Sequence, residues 1–241
     1  MVGCFNIETG LKLAGFTLVI PSISIGNVPQ LTVDLLIASL NLDKSISVWH
    51  PAIVNSVGSD PYNIQSAAVS TACQLYYNDG LKLAVLQFRT TFDRRRIGIF
   101  LSDLLKAIVK LEFKKIVILS SLFDYELTNI RDKENLFYAT SGQISEDIIK
   151  SVKAKVLEKD QNGYLLISGA GLARKLYNML ENKVECTLLV KYVSEGDNTS
   201  DSKVFLKQLL QFIPIDSSKL KITIPPSWSY INGGPPSLGI F

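Results

Sequence analysis

Short, continuous apolar runs alternate with segments of helical spacing along most of the chain. Apolar runs predict strands at residues 16–20, 46–49, 81–88 and 115–120. Between the last two, the leucines and isoleucines of residues 98–111 recur at helical spacing, which predicts a βαβ unit. The run at 81–88 is too uniformly apolar for a strand with one wet face, so we expect it in the interior of the sheet.

Two helices have readable starts. Asn27 stands as a cap three residues before Gln30, with Pro29 in the first turn, and predicts a helix to about residue 40. Its apolar stripe is Val28, Leu31, Leu35, Leu36 and Leu40. Ser145 predicts the start of the other helix, with acids in its first turn and lysines toward its end. The residues expected to face inward from it are Ile148, Ile149, Val152 and Val156.

The same order continues to the end of the chain. Residues 164–167 and 187–193 predict strands, and residues 172–180 and 203–212 predict helices. Residues 51–70, 124–142 and those after 214 are the least regular parts. The pattern predicts an α/β fold, a single three-layer domain whose mostly parallel central sheet has helices on both faces. We expect residues 1–224 to form this domain and residues 225–241 to be a C-terminal tail rich in proline and glycine.

Composition narrows the function classes without choosing one. The chain has 241 residues, 47% of them apolar, and a net charge of +3. This charge is too small to predict attraction to nucleic acid or to a membrane, so neither is expected as a partner. The sharpest basic cluster is Arg94, Arg95 and Arg96. It is interpreted as a solvated loop or helix start, with contact to an acidic protein surface as the alternative.

The three cysteines, Cys4, Cys73 and Cys186, are far apart and odd in number. They predict neither a disulfide framework nor a zinc site, and no metal is expected. The apolar stretch at 13–20 is about half the length that spans a bilayer, and a signal peptide's charged start is missing. The expected location is the cytosol, with the nucleus left open as a further location.

Catalytic chemistry has little support in the sequence. The one histidine, His50, precedes a proline, and neither a GxSxG elbow nor a Walker phosphate loop occurs. The turn from Gly169 to Gly171, between a predicted strand and helix, could offer N–H groups to a phosphate, although Arg174 takes the third glycine position. A phosphorylase-like or nucleotide-binding enzyme using this turn is therefore the alternative function. The preferred expectation is no enzyme, no catalytic residue and no cofactor.

Three segments together carry a resemblance to a known family. They are residues 21–28, PSISIGNV, residues 188–198, LLVKYVSEGDN, and residues 224–228, IPPSW. In order and spacing they resemble the proteasome assembly chaperone 2 family over nearly the whole chain. The resemblance implies an α/β fold related to nucleoside phosphorylases, without their activity. It further implies a heterodimer with proteasome assembly chaperone 1 that sits on the outer face of the proteasome α-ring, promotes ring formation and prevents off-pathway association.

The loop of Glu195, Gly196, Asp197 and Asn198 ends one of these segments. It brings two carboxylates to the end of a predicted strand, an arrangement that could in principle serve as an acid and a base. Residues two apart in a loop have no fixed separation, however, and such residues usually cap a following helix. We therefore interpret this as a structural loop, in which Asp197 or Asn198 caps the helix near Lys203.

The chain ends in Leu238, Gly239, Ile240 and Phe241, which we predict to bind protein. Two apolar side chains beside a free carboxylate suit a pocket that supplies a lysine. In the resembling family, C-terminal tails enter pockets between α subunits through a hydrophobic-tyrosine-any motif. This chain departs from the motif, since Gly239 and Ile240 stand where a hydrophobic residue and tyrosine are expected. The alternative is a tail folded back on the domain, with Trp228 packed on the core.

Overall fold

The computed structural model describes residues 11–127, 135–216 and 220–230. Its strands are β1 Thr17–Pro21, β2 Lys44–Ser47, β3 Val57–Ser59, β4 Val69–Thr71, β5 Cys73–Asn78, β6 Leu83–Phe88, β7 Lys115–Phe123, β8 Leu136–Thr140, β9 Lys155–Val156 and β10 Glu185–Val193. Its α-helices are α1 Val28–Leu40, α2 Ile97–Lys110, α3 Glu146–Val152, α4 Ala173–Leu180 and α5 Thr199–Leu209. These elements form one mixed α/β domain.

Within the described residues, one sheet has the strand order β2-β5-β6-β1-β7-β10-β8-β9, and β3 pairs with β4 in a separate hairpin. The four central strands β6, β1, β7 and β10 are parallel to one another. Antiparallel strands extend both sides, with β5 beside β6 and β8 beside β10. The predicted βαβ unit is confirmed as β6, α2 and β7. Its two strands lie on either side of β1.

Helices cover both faces of this sheet, as predicted. Alternate residues of a strand point to opposite faces, so β1 sends Leu18 and Ile20 into one core and Val19 into the other. The first core is completed by α2 and α4, and the second by α1, α3 and α5. Residues of β6 are buried on both faces, which explains its uniformly apolar sequence. The three-layer architecture is therefore confirmed.

The helix starts differ in how they are stabilised. Ser145 caps α3, since its hydroxyl accepts a hydrogen bond from the N–H of Asp147 at 3.3 Å. Asn27 is the residue before α1, as predicted, but it is in a left-handed conformation and its side chain makes no capping hydrogen bond. Pro29 is buried in the first turn of α1, as its missing N–H allows.

Some local predictions are wrong. Residues 164–167 do not form a strand, because only one bridge, Lys159 to Leu165, pairs them with the chain before them. Val156 is 64% exposed instead of facing inward, since α3 ends at Val152 and Val156 lies in the two-residue edge strand β9. The segments predicted to be irregular contain β3 and β8. β3 is three residues long and fully exposed, and β8 is only five residues long, so both give a weak strand signal.

Candidate functional site

The loop after β10 leads directly into α5. Glu195 and Asp197 are exposed, whereas Asn198 is buried. The Asp197 carboxylate accepts a hydrogen bond from the backbone N–H of Thr199 at 2.9 Å. This bond holds the pKa of Asp197 below its usual value, because it favours the charged form. The carboxylate thus satisfies an N–H group that the start of α5 leaves without a helical partner.

Asn198 joins this loop to the loop after β1. Its side-chain amide donates to the carbonyl of Gly196 at 3.1 Å. The same amide lies against Gly26, where a Cβ atom would overlap it. Gly26 also has φ of 63°, in the left-handed region that glycine adopts without strain. The loops after β1 and β10 are therefore packed together above the carboxyl end of β7, the strand between them.

Serine hydroxyls fill the carboxyl edge of the sheet between β1 and β7. Ser22 follows β1, Ser120 and Ser121 lie in β7, and all three are fully buried. The hydroxyls of Ser24 and Ser121 are 2.9 Å apart and share a hydrogen bond. The Ser121 N–H also donates to the Ser24 hydroxyl at 3.0 Å. This edge, where open α/β sheets hold their ligands, is occupied here by the chain's own polar groups.

The glycine turn before α4 docks onto these serines. Ser22 and Ser120 donate their hydroxyl hydrogens to the Ala170 carbonyl at 2.9 and 3.1 Å. The N–H of Leu172 in turn donates to the Ser22 hydroxyl at 3.1 Å. Ser22 is thus both donor and acceptor to one turn, across 148 and 150 residues of sequence.

Gly171 shows how closely the turn approaches β1. It has φ of 60°, and a Cβ atom there would overlap the carbonyl oxygen of Ile23 and the hydroxyl of Ser22. A phosphate site needs peptide N–H groups directed at open space. Because the Leu172 N–H is already bonded and Gly171 lies against the backbone of Ile23, the geometry gives the nucleotide-binding hypothesis no support. The glycines instead permit close packing of the turn.

His50 is not part of the serine cluster. It is buried beside α2, where its Nδ1 accepts the N–H of Ala52 at 3.0 Å and its ring meets the edge of Phe100. Its Nε2 lies 3.6 Å from the Asp103 carboxylate. Burial lowers the pKa of His50 despite this carboxylate. These contacts are typical of a structural histidine. None of the hydrogen bonds described above for the four serines involves His50.

Sequence reasoning missed a partly buried ion pair at the end of β6. The Arg89 guanidinium lies 3.1 Å from Oδ1 of Asp34 in α1. The same oxygen accepts hydrogen bonds from the Tyr62 hydroxyl at 2.6 Å and the Gln87 amide at 2.8 Å. Burial raises the pKa of Tyr62 well above its usual value. The sequence feature that could have indicated this ion pair is Asp34, a carboxylate in the otherwise apolar stretch of residues 33–37.

The predicted protein-binding residues Leu238, Gly239, Ile240 and Phe241 lie outside the described residues. The last described element is a 3-10 turn, Pro226–Tyr230. Trp228 in this turn is partly buried against the core that contains α1 and α5. The Ser227 N–H donates to the carbonyl of Pro61 at 3.3 Å. The chain therefore stays attached to the domain at least as far as this turn.

Metal clusters and membrane-spanning helices are both absent from the described ranges. No three His, Cys, Asp or Glu side chains there are grouped so that they could hold a metal ion. Cys73 and Cys186 are buried free thiols, and burial raises the pKa of both. None of the helices in the same ranges is both long and apolar enough to cross a membrane.

Comparison of the sequence with known proteins gives matches over nearly its full length. The model of the PAC2 family matches residues 18–221. Proteasome assembly chaperone 2 of Homo sapiens is 29% identical over 257 residues, covering 96% of this chain and 97% of the human protein. Proteasome assembly chaperone 2 of Xenopus laevis is 29% identical over 248 residues, covering 92% and 94% of the two chains.

Solved structures share the fold at much lower identity. PbaA of Pyrococcus furiosus, an archaeal homolog of proteasome-assembly chaperone, has a TM-score of 0.64 and 13% identity, over 93% of this chain and 90% of PbaA. PbaB of the same organism, an archaeal proteasome activator, has a TM-score of 0.61 and 14% identity, over 88% and 89%. At such identity the likeness establishes the fold alone. The further relation to nucleoside phosphorylases stays a prediction.

Proposed function

The chain belongs to the PAC2 family, and from this we propose that it is a non-catalytic chaperone for assembly of the proteasome core particle. One observation carries the proposal. The sequence matches relatives named proteasome assembly chaperone 2 from end to end, with 96% of this chain and 97% of the human protein aligned. A match of that extent includes the loops as well as the sheet, and loops carry most binding residues in a conserved scaffold.

The finer proposal concerns partners. The chain forms a heterodimer with proteasome assembly chaperone 1, and the pair sits on the outer face of the α-ring. There it promotes ring formation and keeps α-rings from associating off the pathway. The cytosol and the nucleus are the proposed locations. The tail residues Leu238 to Phe241 add a contact to the α-ring.

The serine-filled carboxyl edge of the sheet supports the proposal that the chaperone is non-catalytic. A ligand in an open α/β sheet binds in a crevice at the carboxyl ends of the strands. In this chain Ser22 and Ser120 bond to the Ala170 carbonyl at that place, and Gly171 lies against the backbone of Ile23. Substrate binding would have to displace these internal hydrogen bonds, each of which stabilises the fold by about 1 kcal/mol.

The experiment is co-expression of the chain with proteasome assembly chaperone 1 and α-type subunits of the same organism, followed by native mass spectrometry. The proposal predicts a 1:1 chaperone heterodimer and a complex of that heterodimer with α subunits. Recovery of the chain alone, with a nucleoside or nucleotide bound to it, would contradict the proposal and favour the enzyme alternative. Added purine and pyrimidine nucleosides provide the control for that outcome.

A further inference from the structure

Exposed apolar side chains are concentrated in one stretch of the domain. We define the hairpin patch as five large apolar residues that are about half exposed or more. They are Trp49, Val54, Val57, Ile64 and Val69. The stretch 49–69 runs from just after β2 to the start of β4, and it contains five of the thirteen such residues in the described ranges. Single exposed apolar residues need no explanation, whereas exposed apolar residues that lie side by side mark an interaction surface.

The hairpin register places two of these residues on one face. Val57 is paired with Thr71, and Val69 is paired with Ser59. Directly paired residues, and residues two apart in a strand, point to the same side of a sheet. Val57 and Val69 are therefore diagonal neighbours on one side of the hairpin, and they are 79% and 61% exposed. These two valines are therefore open to solvent on a side of the hairpin that they share with Ser59 and Thr71.

Hydrogen bonds fix the hairpin next to Trp49. The Thr71 hydroxyl, which lies opposite Val57, is 3.2 Å from the Ser47 hydroxyl in β2. The N–H of Val48 donates to the carbonyl of Cys73 at 2.9 Å. Trp49 follows directly and is 54% exposed. Trp49 and the hairpin therefore both lie at the β2 edge of the sheet.

An arginine cluster borders the patch on another side. The N–H of Val54 donates to the carbonyl of Thr91 at 3.1 Å, so the segment before the hairpin runs beside the segment after β6. Arg96 reaches back to the carbonyl of Pro51 at 3.1 Å. Arg94 and Arg95 are exposed, and in the described part of the chain neither has a carboxylate within 4.0 Å. These two positive charges are available to a partner.

Resting on the proposed heterodimer, we propose that the hairpin patch is the surface that binds the second chaperone chain, which presents an apolar centre bordered by Asp and Glu residues. Tryptophan and arginine are enriched in protein interfaces and carry much of their binding energy. Interfaces that persist are more apolar than those that must release their partner. A face of valine, isoleucine and tryptophan therefore suits the lasting partner chaperone better than the α-ring, which an assembly factor leaves. The exposed charges of Arg94 and Arg95 select an acidic border on that partner.

The test compares two double variants made in the full chain. Val57→Asp with Val69→Asp puts charges on the patch. Val109→Asp with Val204→Asp puts the same charges on valines of α2 and α5 that are 55% and 48% exposed. The dissociation constant for purified proteasome assembly chaperone 1 and the melting temperature are measured for both. The inference predicts that the patch variant binds the partner about tenfold or more weakly with an unchanged melting temperature, while the control binds as the wild type does.

A charge variant tests the acidic border. Arg94→Glu with Arg95→Glu should weaken partner binding and flatten its dependence on salt concentration, because attraction between opposite charges is screened by salt. Unchanged partner binding in the patch variant would overturn the inference. So would loss of α-ring binding with an intact heterodimer, or loss of self-association in place of heterodimer formation. A wild-type chain that forms no heterodimer would contradict the proposed function itself, and the two failures are therefore distinguishable.

Discussion

The side-chain amide of Asn198 lies directly against Gly26, so close that Gly26 has no room for a Cβ atom. Asn198 ends the loop after β10, and Gly26 belongs to the 3-10 turn after β1. The two loops come from strands that flank β7 on its opposite sides. Their contact fixes the shape of the carboxyl edge of the sheet. The loop of Glu195 to Asn198 therefore packs on the loop after β1. This contact supports a structural role for the loop, because an acid and base pair would not require it.

Gly26→Ala should destabilise the fold by about 1–3 kcal/mol, since alanine is strained in the left-handed region, and by more where it also displaces Asn198. Gly163→Ala is the matched control. Gly163 also has positive φ, 82°, but a Cβ there would meet nothing within 4 Å. The free energy of unfolding in urea measures both. Equal losses would show that the Asn198 contact contributes nothing.

Ser22→Ala should cost more stability than Ser120→Ala. The first change leaves the buried N–H of Leu172 without its acceptor and removes a donor from the Ala170 carbonyl. The second removes only the other donor to the same carbonyl. A buried polar group without a partner costs about 1–3 kcal/mol. Urea unfolding of the two variants gives the comparison, and a larger loss for Ser120→Ala would contradict the assigned geometry.

Asp197→Ala should lower the melting temperature or weaken partner assembly, and Glu195→Ala should do so less. Only Asp197 is seen to accept the Thr199 N–H. Because this bond lowers the pKa of Asp197 in the fold, its stabilisation is present above the unfolded value of about 3.9 and is lost as the pH falls below it. Thermal melts between pH 7 and pH 3 measure the difference between the variant and the wild type. A difference that grows toward pH 3 would show the opposite sign.

The sequence was sufficient to predict the strands in the interior of the large sheet, but not the short strands outside it. Strands β7 and β10 are long, apolar and rich in β-branched residues, so their pattern was unambiguous. Strands β3, β8 and β9 are short, and pairing with a neighbouring strand rather than composition determines them. The helical pattern was extended too far when it included Val156, since α3 ends at Val152.

The candidate site was likewise predictable only in part. Asp197 and Asn198 could be placed at a helix start from local sequence alone, because capping acts over two or three residues. The bonds from Ser22 to Ala170 and from Arg89 to Asp34 span 148 and 55 residues. No local pattern encodes such pairings, which depend on strand order. The serine cluster and the partly buried ion pair therefore became visible only in the folded chain.

Deletion of Leu238 to Phe241 should lower affinity for the α-ring without changing the melting temperature. Burial of the Ile240 and Phe241 side chains would contribute about 1.5–3 kcal/mol each, before the ordering of the tail is subtracted. Ile240→Tyr should bind more tightly, because it restores the tyrosine of the related motif. Affinity for α-ring intermediates is measured with the same partner chaperone throughout. Equal affinity of all three proteins would show that the tail is not inserted, and a lower melting temperature would assign it to the fold.

The most direct measurement is the fate of α-type subunits assembled with and without this chain. Purified α subunits and proteasome assembly chaperone 1 are combined, and native mass spectrometry follows the fractions present as single rings and as off-pathway ring assemblies. Adding this chain should raise the single-ring fraction and reduce off-pathway association, in proportion to the heterodimer formed and without any turnover of nucleosides. An unchanged distribution in the presence of a formed heterodimer would contradict a role in assembly.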